Sequence, residues 1–300
     1  MAKRRKKKKN IGKKISIVMG IIALIAALYF GKDAIIGAFT DQPTVSVSGG
    51  EVQFHFIDVG QGDAALIRTV DGDILIDAGT NASEKALKAY LDNLGVKDIL
   101  YAVFTHPHED HIGGADMILN TYNVGKVILP DTTSNTETFK KMVDAIESEG
   151  CEVIEAVPDK IIQVGELTLT ILAPISEKYS EVNNYSVVIR ADYGETSVLF
   201  TGDAELDSEE EMLARYRLKG TLDCDLLKSG HHGSNTSSGQ EFLNAVTPTY
   251  AVISVGEGNT YDHPKQEILT RYEAMGMKVY RTDKEGSIVF ISTGGEPTKK

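Results

Sequence analysis

Apolar and polar positions alternate along the first part of the chain in a pattern typical of β-strands, and helical periodicity follows. Val52–Asp58 alternates apolar and polar residues, and the short apolar runs Ala64–Val70 and Asp73–Asp77 are separated by the turn sequence DGD. Ala82–Leu94 and Thr136–Glu149 space their apolar residues close to the helical period. We therefore expect the folded part to begin with antiparallel strands and to continue as a mixed α/β domain.

The same alternation of strand and helix patterns continues to the end of the chain. Further strands are predicted at Ile99–Phe104, Lys126–Leu129, Glu152–Ile154, Leu167–Ala173, Val187–Asp192, Thr196–Thr201, Asp225–Lys228, Tyr250–Val255, Lys278–Tyr280 and Ser287–Ile291. Further helices are predicted at Ala115–Tyr122, Leu206–Leu218, Gln240–Val246 and Lys265–Met275. The pattern indicates one large α/β domain over residues 51–300.

The N-terminal segment differs from this domain in charge and hydropathy. Residues 1–14 contain nine Lys and Arg and no acid, and the seventeen residues 15–31 contain no charge. Because about seventeen apolar residues can just span a bilayer, we predict a cytoplasmic tail, a single transmembrane anchor and an external domain. A cleaved signal peptide, which would leave the domain secreted, is the alternative. Residues 32–50 are predicted to be a linker.

The charge of the domain bears on its partners. Residues 15–300 contain 22 Lys and Arg against 43 Asp and Glu, a formal charge of −21 that the net value of −12 conceals. Because Lys and Arg provide most of the affinity for nucleic acid, such a domain should repel a polyanion. The two cysteines, Cys151 and Cys224, are far apart in sequence, so a disulfide framework is not expected.

Histidines and acids concentrate directly after the predicted strands. The sequence THPHEDHIGG, residues 105–114, holds three of the seven histidines and two acids, and Asp58, Asp77 and Asp203 each end a strand-like run close to a glycine. Ligands of α/β sheets bind at the carboxyl ends of the strands, where such loops meet. Since imidazole and carboxylate together are ligands of divalent metals, the pattern predicts a metal site there.

Together these motifs resemble those of a known superfamily of metal-dependent proteins. THPHEDH matches the HxHxDH motif of the metallo-β-lactamase fold superfamily, and the DAG, TGD and SGHHGS segments follow its order. More narrowly, FIDVGQGDAALI, EVNNYSVVI, LLKSGHHGSNTSS and YAVISVGEGNTYDHP resemble the hydrolase domain attached to the competence DNA-uptake channel protein ComEC. The resemblance covers about residues 51–292 and implies an αββα sandwich with a dinuclear centre at one edge. With one hydrophobic segment, the chain resembles that domain on its own anchor.

The resemblance also implies roles for the residues of the metal centre. His106 and His108 would bind the first metal, and Asp110 and His111 the second. Asp203 would bridge the two ions, because an oxygen shared by two cations is best supplied by an anion. Asp110 and Asp203 would thereby take part directly in catalysis.

Three further positions follow from the same resemblance. His231 would complete the second metal site, and His232 would lie beside the substrate as a catalytic residue. Asp77 would orient a metal-binding histidine through a hydrogen bond.

The chain departs from the superfamily pattern at one point. A further histidine ligand of the first metal is expected between positions 111 and 203, and this stretch contains none; Asn183–Ser186, with the sequence NNYS, takes its place. The first site is therefore poorer in nitrogen, and oxygen-rich sites suit manganese better than zinc. Zinc and manganese both remain open as the two expected divalent ions.

Polar residues in the same blocks are candidates for substrate contacts. Several of them can donate hydrogen bonds to phosphate oxygens, while the residues of DVGQGD could instead only build a turn. The candidates are Gln61, Asp63, Asn184, Ser186, Lys228, Ser234, Asn235, His263 and Lys265.

Three classes of function remain open from the sequence. The first is a metal-dependent phosphodiesterase or nuclease that acts on extracellular DNA, with a DNA-uptake channel protein as candidate partner; two divalent ions activate water for such a displacement at phosphorus. The second is a metallo-hydrolase of another small ester or phosphodiester. The third, a metal-binding module without catalysis, is disfavoured because every expected ligand of the second metal is present.

Overall fold

The computed structural model describes residues 47–300, and within them two β-sheets pack face to face with helices on both outer sides. The expected αββα sandwich with two mixed sheets is therefore confirmed. The predicted tail, anchor and most of the linker, residues 1–46, lie outside the described residues. Across residues 47–300, none of the helices is both long and apolar enough to cross a bilayer.

The first sheet contains the strands from both ends of the domain. Its members are β1 (Val52–Phe56), β2 (Ala65–Thr69), β3 (Gly72–Ile76), β4 (Asp98–Val103), β5 (Asn123–Leu129), β6 (Glu152–Glu155), β14 (Ile288–Ser292) and β15 (Thr298–Lys299), in the order β15-β14-β1-β2-β3-β4-β5-β6. Strands β3 to β6 run parallel to one another. Their carboxyl ends therefore lie along one edge of the sandwich.

The second sheet is also mixed. Its members are β7 (Ile161–Val164), β8 (Leu167–Ala173), β9 (Val188–Tyr193), β10 (Thr196–Phe200), β11 (Leu226–Lys228), β12 (Tyr250–Ile253) and β13 (Lys278–Arg281), in the order β13-β12-β11-β10-β9-β8-β7. Strands β10 to β13 are parallel. Strands β7 and β15, with four and two residues, were not predicted from the sequence.

Helices cover the outer face of each sheet. They are α1 (Glu84–Asn93), α2 (Glu109–Ile112), α3 (Ala115–Thr121), α4 (Glu137–Glu149), α5 (Leu206–Tyr216), α6 (Gln240–Val246), α7 (Gln266–Ala274) and α8 (Thr282–Glu285). Helices α1 to α4 contribute to the apolar cluster over the first sheet, and α5 to α7 contribute to the cluster over the second.

Helix α4 shows how local sequence sets these boundaries. The Thr136 side chain caps its start by accepting a hydrogen bond from Phe139 N, and Gly150 ends it in the left-handed conformation. Phe139, Met142 and Ile146 are buried on its inner face. The apolar spacing and the two end signals agree, so the predicted helix and the observed one nearly coincide.

Strand β1 shows how the core between the sheets is built. Val52, Phe54 and Phe56 alternate toward this layer and are fully buried, and the Phe56 ring stacks on Phe200 of β10 at a centroid distance of 5.7 Å. Burying each such side chain contributes roughly 1.5–3 kcal/mol relative to exposure. This packing fixes the position of one sheet relative to the other. It thereby fixes the relative positions of the loops at their shared edge.

Candidate metal centre

The predicted metal ligands converge at one edge of the sandwich. Asp77 directly follows β3, residues 105–111 follow β4, and Asp203 lies just after β10. Residues 231 and 232 lie just after β11 in a short 3-10 turn. Since β3 and β4 are parallel, as are β10 and β11, these loops leave the two sheets on the same side.

A single carboxylate oxygen lies at the centre of the cluster. Asp203 Oδ2 is 3.2 Å from the Nε2 atom of His111, 3.6 Å from those of His231 and His232, and 3.9 Å from that of His106. The Asp203 side chain is almost completely buried. One oxygen thus faces four imidazole nitrogens, an arrangement that suits an anion shared between cations.

Four side chains form the tightest group in this cluster. Asp63, His111, Asp203 and His232 each offer one ligand atom within 4.8 Å of the others, and all four are buried. Asp63 Oδ1, Asp203 Oδ1 and the Nε2 atoms of both histidines accept or donate no hydrogen bond among the described residues. Buried polar atoms without partners are costly and uncommon. A divalent cation would give them a shared partner, so the donor set fits such an ion.

The electrostatics of the cluster are those of an anionic pocket. Burial alone would lower the pKa of His111, but the charges of Asp203, Asp77 and Asp110 outweigh it and raise that pKa well above its usual range. Burial opposes ionisation of Asp203, yet His111 and His232 hold its pKa well below the usual value. The pocket therefore favours positive charge, which protons supply when no metal is bound.

Two hydrogen bonds orient histidines toward the centre. His111 Nδ1 lies 2.7 Å from Asp77 Oδ2, and the Thr105 backbone N–H and hydroxyl also donate to that carboxylate. His232 Nδ1 donates to Ser254 O at 2.9 Å. With Nδ1 engaged in these hydrogen bonds, the Nε2 atom of each ring faces the centre. A metal ligand that binds through Nε2 requires the tautomer with its proton on Nδ1. The contact expected of Asp77 is thus present in the structure.

The rest of the HxHxDH motif surrounds this group. His106 Nε2 lies 3.1 Å from His108 Nδ1, and Asp110 Oδ2 lies 3.3 Å from His232 Nε2. His106 is buried and His108 is exposed. His106 lies beside His108, and Asp110 lies beside His232. This arrangement agrees with the division between two metals that the resemblance implies, and that division stays a prediction.

The structure brings both His231 and His232 to Asp203, at equal Nε2–Oδ2 distances of 3.6 Å, whereas His231 alone was expected as the ligand. His232 belongs to the buried four-residue group, whereas His231 is 22% exposed and its Nδ1 lies near Thr236 Oγ1 and Glu205 Oε1, at 3.0 and 3.2 Å. Both histidines have positive φ angles, 47° and 53°. This strained backbone turns the His232 ring inward and the His231 ring toward the rim. His232 rather than His231 is thus the better-placed metal ligand.

Asp63 and Lys228 require a correction as substrate contacts. Lys228 Nζ lies 2.6 Å from Asp63 Oδ2 and donates to Ser229 O, and only 3% of Lys228 is exposed. Lys228 therefore neutralises a buried carboxylate. Asp63 joins the metal group because Gly62 permits close approach to Asp110: a Cβ at Gly62 would lie 2.5 Å from Asp110 O. The glycine was the only sequence signal for this contact.

Asn184 and Ser186 are also placed differently from expectation. Both are almost fully buried. Asn184 Oδ1 accepts hydrogen bonds from Glu205 N and Ser208 N, and Ser186 Oγ accepts one from Asp203 N at 3.1 Å. Asn184 and Ser186 therefore support the loop that carries Asp203.

The remaining substrate candidates divide between support and rim. Gln61 Oε1 accepts a hydrogen bond from Gly256 N, and Ser234 is buried, so both hold loops in place. His263 is half-buried, and its ring lies 5.7 Å from that of His231. His263 therefore borders the open side of the centre, as a substrate contact would.

The fold and the buried histidine–aspartate cluster define a metallo-hydrolase-like protein, and comparison with known sequences identifies the family. Residues 57–257 match the family model of the metallo-beta-lactamase superfamily, and the chain belongs to that superfamily.

Several curated relatives place the chain within a narrower group. ComE operon protein 3 of Bacillus subtilis (strain 168) is 31% identical over 261 residues, which are 81% of this chain and 33% of the relative. Competence protein ComA of Neisseria gonorrhoeae is 32% identical over 263 residues, 87% of this chain and 35% of the relative. The chain is thus a ComEC-like protein of the metallo-β-lactamase fold, and it spans about a third of the length of these relatives.

Solved structures agree with the fold. The metallo-beta-lactamase fold protein YhfI from Bacillus subtilis aligns with a TM-score of 0.54 at 14% identity, covering 81% of this chain and 99% of that one. CmlA, a diiron beta-hydroxylase from Streptomyces venezuelae, aligns with a TM-score of 0.53 at 14% identity, covering 80% and 53%. At such identities the likeness concerns the fold alone.

Proposed function

We propose that the chain is a metal-dependent phosphodiesterase whose substrate is extracellular DNA. The observation that carries the proposal is the position of Asp203 Oδ2 opposite four imidazole nitrogens, beside buried ligand atoms that lack partners. Such a donor set suits two divalent ions, which when bound activate water and stabilise charge on the oxygens of a phosphodiester.

The chain's own residues would bind the ions, orient a ligand and contact the substrate as follows. Asp63, Asp110, His111, Asp203 and His232 would hold one ion, and His106 and His108, with Asp203 shared, would hold the other. Asp77 would keep His111 in its binding orientation. His231, at the rim, would contact the phosphate oxygens.

The acidic surface supports a second candidate function. Lys228 is buried against Asp63, and Lys265 Nζ lies 3.6 Å from Asp262 Oδ2. Since phosphate-rich polymers bind through unpaired Lys and Arg, a small ester or phosphodiester is the alternative substrate.

The test compares three substrates with purified, metal-loaded protein at low salt: single-stranded DNA, double-stranded DNA and bis-nitrophenyl phosphate. We expect one to two bound divalent ions per chain, metal-dependent hydrolysis of DNA and of the small ester, and Mn²⁺ at least as effective as Zn²⁺. His108→Ala should lower turnover by orders of magnitude, because it removes a ligand of the group that activates water.

The outcomes separate the candidate functions. Hydrolysis of the small ester without hydrolysis of DNA would support the alternative and exclude a nuclease. No hydrolysis of any of the three substrates, with two ions bound, would exclude a phosphodiesterase and leave a hydrolase of another ester or a metal-binding module.

We also propose a role in DNA uptake. The curated relatives include proteins named for competence, and this chain corresponds to only about a third of their length. A DNA-uptake channel protein is therefore the proposed partner, with DNA reaching the metal centre from it.

We also propose that the protein is a single-pass membrane protein with its hydrolase domain outside the cytoplasm. The proposal rests on the basic residues 1–14 and the uncharged residues 15–31. Because the positive tail stays inside, protease added to intact spheroplasts should degrade the domain. The control is a cytoplasmic protein that is cut only after lysis. A domain that survives on spheroplasts and is cut after lysis would reverse the orientation, and a soluble domain in the medium would indicate signal cleavage.

A further inference from the structure

An exposed tyrosine lies at the rim of the metal centre, in the loop between β12 and α7. The Tyr261 ring stacks on the His263 ring at a centroid distance of 5.8 Å and an interplanar angle of 25°, and 61% of Tyr261 is exposed. One face of the tyrosine is therefore covered by an aromatic ring, while the other is open to solvent.

The loop that carries this ring is held in place by one side chain. Asn259 Nδ2 donates to Gly256 O and His263 O, and Asn259 Oδ1 accepts from Tyr261 N and His263 N. These four hydrogen bonds bridge the loop from both sides. The Tyr261 backbone is thus fixed before any ligand binds, which lowers the entropy cost of binding.

A continuous series of rings connects Tyr261 to the metal ligands. The His263 ring lies 5.7 Å from His231, and His231 Nε2 lies 3.6 Å from Asp203 Oδ2. A group stacked on Tyr261 would therefore be adjacent to a phosphodiester positioned at the centre. His263 Nδ1 is buried without a hydrogen-bond partner among residues 47–300.

Resting on the proposed function, we propose that Tyr261, backed by His263, is a base-stacking subsite for single-stranded nucleic acid. Aromatic side chains stack on any unpaired base, because every base presents a π-face. In a duplex the bases are paired and already stacked, so this subsite selects single strands.

The absence of tryptophan from the whole sequence allows a direct measurement. Tyr261→Trp in the full-length, Mn²⁺-loaded protein creates a single fluorescent reporter at the subsite. Rapid mixing with a thymidine dodecamer should quench its emission, whereas an abasic strand of equal length and charge should not. Leu218→Trp, at a fully exposed position, is the matched control and should respond to neither strand.

Affinity provides the second measurement. Tyr261→Ala should weaken binding of the thymidine dodecamer about 10-fold, as loss of one stacked base implies, while Tyr261→Phe should bind within about 2-fold of the parent. The Phe variant keeps the ring and so separates stacking from the hydroxyl group. Thermal unfolding of both variants verifies that the loop change leaves the fold intact.

Two results would overturn the subsite: equal quenching of the Tyr261→Trp variant by the abasic and thymidine strands, or equal affinity of the Ala and Phe variants. Both measurements report binding and need no turnover. Stacking without hydrolysis of any substrate would therefore contradict the proposed function alone, and hydrolysis of DNA without stacking would contradict the subsite alone.

Discussion

Asp203→Asn is expected to remove the more tightly bound metal ion and to lower phosphodiesterase turnover by roughly 10³-fold or more. The variant keeps the size of the side chain but removes the negative charge that faces four imidazoles. An amide would also direct hydrogen atoms at nitrogen atoms that should bind metal. Metal content per chain, measured by elemental analysis alongside turnover, tests both expectations.

Asp77→Asn is the graded comparison for that experiment. Asp77 contacts the metal group through His111 Nδ1, at 2.7 Å, so its loss should cost roughly 10–100-fold and leave most of the metal bound. Full metal occupancy in Asp203→Asn would contradict the central position of that carboxylate. An Asp77→Asn variant as inactive as Asp203→Asn would show that Asp77 does more than orient a histidine.

Gly113→Ala is expected to destabilise the domain by about 3 kcal/mol or more, lowering its thermal midpoint by roughly 6 °C or more. A Cβ at this position would lie 2.2 Å from Asn81 N and Thr80 C, and 2.6 Å from Gly79 O. These are backbone atoms, which cannot move aside as a flexible side chain could. Circular dichroism on heating measures the shift.

Metal affinity should fall in the same variant, because Gly113 directly follows α2, the helix that carries Asp110 and His111. Gly295→Ala is the matched control: a Cβ there meets no atom within 4 Å, and its φ angle is not in the left-handed region. An unchanged midpoint in Gly113→Ala would refute the close approach of the two loops. Equal shifts in both variants would point to a general effect of alanine.

The fold could be predicted where each element depends on its own residues. The buried face of α4, its Thr136 cap and the terminal Gly150 lie within one short stretch, and β1 shows its alternation in five residues. The metal site could be recognised for the same reason, because the HxHxDH motif concentrates several ligands in one loop. Strands β7 and β15 were not predicted from the sequence.

The finer parts of the site depended on contacts between distant segments. Asp63 meets Lys228 and the metal group only because the first and second sheets are packed together, and no local pattern distinguishes it from a turn residue. Asn184 resembled a substrate contact, but it supports the Asp203 loop by accepting hydrogen bonds from Glu205 N and Ser208 N.

The sequence by itself determined the strand and helix periods, the family and the residues available to bind metal, because each of these depends on local spacing and residue type. Tertiary structure decided which of two adjacent histidines is the more deeply buried in the metal group. The φ angles of His231 and His232, both in the left-handed region, are imposed by the packing of their turn between β11 and the loops around it. Side-chain direction there follows from backbone conformation, which residue type alone does not specify.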